Sequence, residues 1–177
     1  MADLDFSTPD GQTIDRELLV LYLNTGTAST PVWSAIGKRV TDSSMDFDWS
    51  DSSEKDILGN THSTMKKPII TQSFDPLPIE GGDAAIEKIW NLAVKDQDVA
   101  ALSSMDVLIA HLYVTNSTAN WGERYASSMI KVTSLGGEGG GNIEMPIEVT
   151  YGGTRTLGKV SKNGSGVVTF TADGASS

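Results

Sequence analysis

The segment around Phe47 alternates apolar and polar side chains, and this period of two constrains the fold more than any other part of the chain. Because successive side chains of a β-strand point to opposite faces, Met45, Phe47 and Trp49 share one face and Asp46 and Asp48 share the other. We expect the first face to pack and the second to stay hydrated and acidic. The pattern predicts a β protein.

Further strands are predicted wherever short apolar or alternating runs lie between turn residues. They are expected at Leu18–Leu23, Val32–Val40, Lys66–Phe74, Val107–Thr115, Met129–Leu135, Ile143–Tyr151 and Val167–Thr171. Pro68 restricts its strand to an edge or to the first position, because proline has no N–H to donate to a neighbouring strand. The fold class is therefore mainly β.

One helix is predicted, over about residues 83–95. Asp83 is a suitable N-cap, and the apolar residues that follow recur at helical spacing. We expect Ile86, Ile89, Trp90 and Val94 to pack on the sheet. Three polar residues fall away from this stripe and are expected on the exposed side: Lys88, Asn91 and Lys95.

The length of 177 residues is enough for one domain with a substantial core. We expect a single domain over 1–177, with 1–17 as a candidate flexible N-terminal arm and 172–177 as a short tail. The chain has no cysteine, so packing and hydrogen bonds must stabilise it without disulfides. The acidic start lacks the features of a signal peptide, and no apolar run is long enough for a bilayer, so no membrane partner is expected.

The charge is strongly negative, with 23 acidic residues against 13 basic ones and a formal net charge of −10. The imbalance is concentrated in residues 1–60, which carry 11 acids and 4 bases. Such a surface repels phosphates, so tight nucleic-acid binding is not expected. The same repulsion suits a path along which DNA slides, and acidity also serves solubility alone.

The sequence contains no recognisable pattern of catalytic or metal-ligating residues. His62 and His111 lie far apart and outside any metal-ligand spacing, so both are interpreted as structural. The segment from Gly153 to Lys159 has the spacing of a phosphate loop, but Val160 replaces the hydroxyl residue, which favours a β-hairpin with Gly153 and Gly158 in turns. We therefore expect no enzyme, no cofactor and no metal.

Several short sequence blocks stand out by their order and spacing. The blocks are Asp56-Ile57-Leu58-Gly59-Asn60-Thr61, Gln72-Ser73-Phe74-Asp75-Pro76, Gly82-Asp83-Ala84, Val132-Thr133-Ser134-Leu135-Gly136-Gly137, Met145-Pro146 and Tyr151-Gly152-Gly153-Thr154-Arg155-Thr156-Leu157-Gly158. Together they resemble the major tail protein, or tail tube protein, of tailed bacteriophages and prophages of Gram-positive hosts. The resemblance covers about Leu18 to Val168.

The resemblance implies a β-sandwich or barrel-type tail tube fold with the flanking helix, hexameric rings, and rings stacked into a hollow tube that conducts DNA during ejection. It implies a place in the virion tail, assembly in the host cytoplasm, and contacts with tape measure, tail terminator and distal tail proteins. It carries no catalytic residue or cofactor. The alternatives are the inner tube of a contractile tail or a tail-derived bacteriocin, and a β-sandwich adhesin or binding module.

The resemblance also suggests which residues serve assembly. The candidate lumen-facing residues are Asp46, Asp48, Glu148 and Thr150, because they lie on the polar sides of alternating strands. An outer-wall position for Asp46 and Asp48 is the competing expectation. The candidate assembly loops are built around Asp75, Pro76, Gly82, Gly136, Gly137, Glu138, Gly139, Gly140 and Gly141. The glycine-rich one is expected as a flexible connection or as a segment that orders on a partner.

Overall fold

The computed structural model describes residues 4–116 and 119–174 of the chain. The strands are β1 (Asp5–Phe6), β2 (Leu19–Asn24), β3 (Trp33–Ile36), β4 (Met45–Asp48), β5 (Ser52–Lys55), β6 (Thr61–Thr64), β7 (Ile69–Phe74), β8 (Met105–Asn116), β9 (Ala119–Val132), β10 (Ile147–Thr150), β11 (Arg155–Lys162) and β12 (Val168–Ala172). The helical segments are a 3₁₀ turn at Arg16–Leu18, α1 (Ala84–Trp90), a π-helical turn at Asn91–Lys95 and α2 (Val99–Leu102). Residues 1–3 of the predicted arm and 175–177 of the predicted tail lie outside the described residues.

Most strands form one continuous antiparallel sheet that curls into two layers. The order of neighbours is β3-β2-β8-β9-β10-β7-β4, with β11 and β12 on the far side of β9. Strand β9 belongs to both layers, because its residues up to Ser128 pair with β8 and β11, and Met129–Val132 pair with β10. We call Met129–Val132 with β10, β7 and β4 the four-stranded sheet, and the remainder the larger sheet.

The core lies between the two layers and under α1. Its fully buried side chains include Leu23, Val107 and Ile109 from the larger sheet, Ile130, Ile147 and Val149 from the four-stranded sheet, and Ile86 and Ile89 from α1. A second cluster, built around Leu108, Ala110 and Val160, lies on the opposite face of the larger sheet. The predicted mainly β class with a flanking helix is confirmed.

The helix begins as the sequence predicts. The Asp83 side chain accepts hydrogen bonds from the backbone N–H groups of Ala85 and Ile86, both at 3.1 Å, which satisfies two donors of the first turn. Ile86 and Ile89 are buried, and Trp90 packs half-buried against the core. The apolar stripe therefore attaches α1 to the sheet.

Lys88 does not occupy the exposed side on which it was predicted. Its Nζ donates a 2.7 Å hydrogen bond to the backbone oxygen of Asn24 at the end of β2, and the side chain is half-buried. The reason is that α1 lies beside β2 and β3, so this flank of the helix meets the end of a strand rather than water. The short helix α2 has no counterpart in the predictions.

The predicted strands are present, mostly with shorter bounds, and other strands were missed. The missed elements are β1, the hairpin of β5 and β6, the first ten residues of β9, and β11, part of which was predicted only as a hairpin. Gly153 lies in a turn with φ +76°, as predicted, but Gly158 lies within β11. A Cβ atom at Gly158 would lie 2.3 Å from the Thr171 oxygen, so this glycine permits close strand packing rather than a turn.

The N-terminal segment has one paired strand. Asp5 and Phe6 of β1 pair with Thr115 and Val114 of β8. The flexible arm over residues 1–17 and the single-domain division of the chain stay predictions.

Candidate assembly surfaces

The four candidate lumen-facing residues lie on one face of the four-stranded sheet. Asp46 pairs with Thr71, and Thr71 pairs in turn with Thr150, so these side chains run in a row across three strands. Asp48 and Glu148 lie two residues from that row and therefore share its face. The structure thus brings together residues that the sequence separates by about one hundred positions.

We call this surface the acidic face, defined by Asp46, Asp48, Ile69, Thr71, Ser73, Met129, Lys131, Glu148 and Thr150. Lys131 Nζ lies 2.8 Å from Glu148 Oε2, and both side chains are partly exposed. Three carboxylates share the face with one ammonium group, so the face keeps a net negative charge. Most of its other side chains are small hydroxyls, which hydrate without attracting phosphate.

The opposite face of β4 only partly follows its prediction. Met45 packs against the core, whereas Phe47 is 50% exposed and Trp49 is 45% exposed. Their rings stack with centroids 6.4 Å apart. The expectation that all three pack is wrong because β4 is the last strand of its sheet, so no further strand flanks it, and Trp49 lies just past the end of β4.

The two predicted assembly loops meet at one end of the four-stranded sheet. The N–H of Ile79 donates to the oxygen of Ile143 at 2.9 Å, and the N–H of Met145 donates to the oxygen of Leu77 at 2.8 Å. Gly136 and Glu144 exchange backbone hydrogen bonds. These contacts tie residues 77–79 to residues 136–145 and place Asp75, Pro76 and Gly82 close in sequence to one side of the junction.

The glycine-rich tip of the second loop is exposed. From Gly136 to Gly141 each residue is exposed, and the N–H of Gly141 donates to the oxygen of Glu138 at 3.0 Å to close a turn. The loop is thus a hairpin connection within the single chain. Its role in assembly, together with that of Gly137, Gly139 and Gly140, stays a prediction.

A hairpin that the predictions missed projects from the other end of the four-stranded sheet, where β4 ends and β7 begins. All residues of β5 and β6 are exposed. At its tip Ile57 is 102% exposed and Leu58 is 81% exposed. The only sequence signal was turn chemistry, an aspartate three residues before a glycine, because no apolar alternation marks this hairpin.

Asp56 holds that tip in shape. Its carboxylate accepts hydrogen bonds from the N–H of Leu58 at 2.8 Å and the N–H of Asn60 at 2.9 Å, and it lies 3.0 Å from His62 Nε2. The hydrogen bond from His62 contributes most to a pKa of Asp56 lowered to about 2. His62 is therefore structural, as predicted, and the two apolar tip residues are presented by an ordered turn.

A buried charge network lies on the core side of the larger sheet. Glu123 Oε1 lies 2.7 Å from His111 Nε2, and Oε2 accepts from Tyr125 Oη at 3.1 Å and from Arg155 Nε. Burial by itself raises the pKa of Glu123, but the hydrogen bonds from His111 and Arg155 outweigh it and hold the pKa below the ordinary value. His111 is the satisfied structural histidine that the sequence predicted.

Within the described residues, no three metal-ligating side chains come together. Over the same residues, no helix is both long and apolar enough to cross a membrane.

No protein-family model and no curated protein sequence matches this chain. Among solved structures, it is similar to the sheath/tube terminator of an extracellular contractile injection system, PVC, in its extended state. The TM-score is 0.54 at 10% identity over 84% of this chain and 99% of that chain.

It is also similar to a chain of the sheath-tube complex of the same system in its extended state, with a TM-score of 0.52 at 11% identity over 85% of this chain and 95% of that chain. The chain has the fold of an injection-system tube or terminator protein. This tube-type fold confirms the predicted fold class.

Proposed function

We propose that this protein is the structural subunit of a phage tail tube. Six copies form a ring, rings stack into a hollow tube, and DNA passes through the tube during ejection. The role is mechanical, and the chain carries out no catalysis.

The observation that carries the proposal is the acidic face. Asp46, Asp48, Glu148 and Thr150 lie together on the exposed side of one sheet whose other side is the core. A conduit for DNA needs a lining that does not bind phosphates, and net negative charge with small hydroxyls provides one. On an outer wall, the competing position for Asp46 and Asp48, the same residues would only solvate the tube.

The number of strands is sufficient for the closed sheet to enclose a wide channel. Six copies of a four-stranded sheet contribute about 24 strands. At roughly 4.8 Å between neighbouring strands, the closed sheet has a circumference of about 115 Å before strand tilt enlarges it. Barrels of roughly 16 to 18 strands already enclose a water-filled channel, so the proposed barrel leaves a wider one.

The two ends of the four-stranded sheet supply contacts between rings. The hairpin of β5 and β6 projects from one end, and the loops around Asp75 and Gly136 lie at the other. Stacked rings in one orientation bring the hairpin of one copy to the loop end of the next. The exposed tip residues Ile57 and Leu58 would lose water in that contact.

The proposal also includes the predictions about where the subunit assembles, where it ends and what it contacts. The subunit assembles in the host cytoplasm and ends in the virion tail. There it contacts copies of itself and the tape measure, tail terminator and distal tail proteins, and it binds no membrane. A Gram-positive host stays a prediction, because a shared fold does not identify the host.

Two related roles compete. The similar solved chains come from a contractile system, which favours an inner tube of a contractile tail or bacteriocin as the nearest variant of the proposal. The terminator similarity favours a ring that caps a tube instead of extending it. A ring that caps a tube would not stack on itself, whereas a tube subunit would form long tubes.

Negative-stain electron microscopy of the purified protein over a wide concentration range separates a tube subunit from a terminator. Tubes of stacked rings support the tube subunit, and rings that stay single support the terminator. Monomers under all conditions, including those that favour polymerisation, contradict both.

A further inference from the structure

Strand β12 is an open edge of the larger sheet. Within residues 4–116 and 119–174 it pairs with β11 alone. The N–H of Asn163 donates to the oxygen of Val167 before the strand begins, and the N–H of Asp173 donates to the oxygen of Leu157 after it ends. Odd-numbered residues of β12 therefore turn their backbone groups toward β11. The residues whose N–H and C=O groups point outward are Val168, Phe170 and Ala172.

This edge lacks the features that normally keep a strand edge from pairing. The segment from Gly164 to Ala172 contains no charged residue and no proline. The pairing of β12 with β11 runs without a register shift, so no bulge turns the edge away. In a chain with a formal net charge of −10, two copies approach each other with least repulsion through an uncharged surface. The edge is thus a template for a further strand.

The sequence of β12 is almost symmetric about its central residue, Phe170. In antiparallel pairing with a second copy, centred on this residue, Phe170 faces its own counterpart, Thr169 faces Thr171, and Val168 faces Ala172. The outward-pointing residues of the two copies then lie opposite one another and form roughly six backbone hydrogen bonds. A register shifted by two residues would lose one of these bonded pairs.

The side chains fit this pairing on both faces of the sheet. A two-fold axis perpendicular to the sheet keeps the apolar residues of both copies on one face. On that face Phe170 packs against the cluster that contains Leu108 and Val160, and the second Phe170 extends the cluster. On the other face Thr169 and Thr171 are exposed in the single chain, and threonines that face each other across two strands are a favourable pair.

We propose that two copies of this chain pair through β12 into a two-fold symmetric dimer, in which the larger sheet continues from one copy into the other. The occupant of the open edge is thus a second copy. The contact is closed, because each copy uses the same edge that its partner uses. It involves neither the acidic face nor the projecting hairpin, so it goes beyond the proposed tube and does not depend on it.

Cysteine cross-linking tests the contact and its register, since the chain has no native cysteine. Thr169→Cys and Thr171→Cys are made as separate variants of the full chain. They are oxidised alone and as an equal mixture, at concentrations at which the parent shows no rings. In the proposed register the Cα atoms of Thr169 and the partner's Thr171 are roughly 4.5 Å apart, within the range of a disulfide. The same position in two copies is about 8 Å apart, beyond that range.

We expect a covalent dimer on a non-reducing gel from the mixture and little from either variant alone. A mixture of Thr169→Cys with Ser53→Cys, whose site is also exposed on β5, is the control and should give no dimer. No dimer from the mixture, or as much dimer from either variant alone, would overturn the inference. The proposed tube would stand in both cases, because its contacts lie elsewhere on the chain.

A pair of charge variants gives a second readout. Thr169→Glu with Thr171→Glu brings like charges opposite each other across the two-fold axis, whereas Thr169→Lys with Thr171→Glu brings opposite charges together. By sedimentation equilibrium, the dissociation constant of the dimer should be at least about tenfold higher for the first variant than for the second. Both sites are exposed, so the melting temperatures should stay close to that of the parent.

The added net charge has its own control. Thr61→Glu with Ser63→Glu introduces the same two carboxylates at exposed sites on β6 and should dimerise as the parent does. Equal dissociation constants for the two β12 variants, or a parent that stays monomeric, would contradict the pairing.

Discussion

At the residue scale, Glu123 is a buried carboxylate on whose partners the stability of the fold depends. It is 6% exposed, and its two carboxylate oxygens bond to His111, Tyr125 and Arg155. A buried carboxylate is tolerated only when its partners satisfy it, and removing one member of such a network leaves the others unpaired.

We predict that Glu123→Gln lowers the free energy of unfolding by about 2–3 kcal/mol at pH 7. The folded pKa of Glu123 is lowered, so its contribution is present above the unfolded value of about 4.3 and is lost as pH falls through the folded value. Urea unfolding between pH 7 and pH 3 should show the gap between parent and variant closing below about pH 4. Glu54→Gln, at an exposed site on β5, should show no gap. A gap that is constant with pH contradicts the assignment.

The helix provides a second test of packing. Ile89 is fully buried and Trp90 is half-buried. We predict that Ile89→Ala costs about 3 kcal/mol, as a core truncation. Trp90→Ala should cost about 1–2 kcal/mol, because part of its surface is already in water. Urea unfolding measures both. A larger loss for Trp90→Ala than for Ile89→Ala would show that the inner side of α1 has been misplaced.

At the element scale, the projecting hairpin of β5 and β6 lies outside the core, so changes there can affect assembly without affecting folding. Its strands are exposed, and its tip is fixed by Asp56 rather than by burial in the core. A preformed tip loses less conformational entropy on docking than a flexible loop would. The hairpin can therefore serve contacts between rings without contributing to the core.

We predict that Ile57→Ser with Leu58→Ser leaves the melting temperature of the unassembled chain unchanged and shortens the tubes. The tip residues touch little within their own chain, so their apolar surface matters only when a neighbour covers it. Tube length in micrographs at matched concentration is the measurement. Val167→Ser, at an apolar site beside another turn that is 56% exposed, is the control. Tubes of parental length in the double variant would show that the tip does not join rings.

At the scale of the whole molecule, the proposed function makes the acidic face the inner wall of the tube. Thr150 lies in its interior, between Thr71 and Met129 and away from both open edges. We predict that Thr150→Lys assembles tubes normally and slows DNA ejection from virions, because added cations engage phosphates. Thr150→Glu is the control, because it also introduces a longer charged side chain but one of negative charge. Virions that carry it should eject DNA at the parental rate. Equal ejection rates for all three proteins contradict a lining role for this face.

The sequence predicted the parts of this fold that alternation and helix capping encode. The polar faces of β4 and β10 were identified, and Asp83 begins the helix as expected. Pairing between distant strands has no local signal, so the passage of β9 through both layers was not predicted. The hairpin of β5 and β6 was missed because it buries no apolar face.

The candidate assembly surfaces, too, could be predicted only in part from the sequence. The sequence indicated that Asp46 and Glu148 belong to polar faces, but only the sheet register shows that they share one. Phe47 and Trp49 have the pattern of core residues, and their exposure depends on β4 being an edge strand. Edge position is a property of the whole topology, so local pattern could not supply it.

A helical reconstruction of assemblies of the purified protein by electron cryo-microscopy tests the central claim most directly. The account predicts stacked rings of six copies, with Asp46, Asp48, Glu148 and Thr150 on the inner wall of the tube. Rings with these four side chains on the outer wall would contradict it.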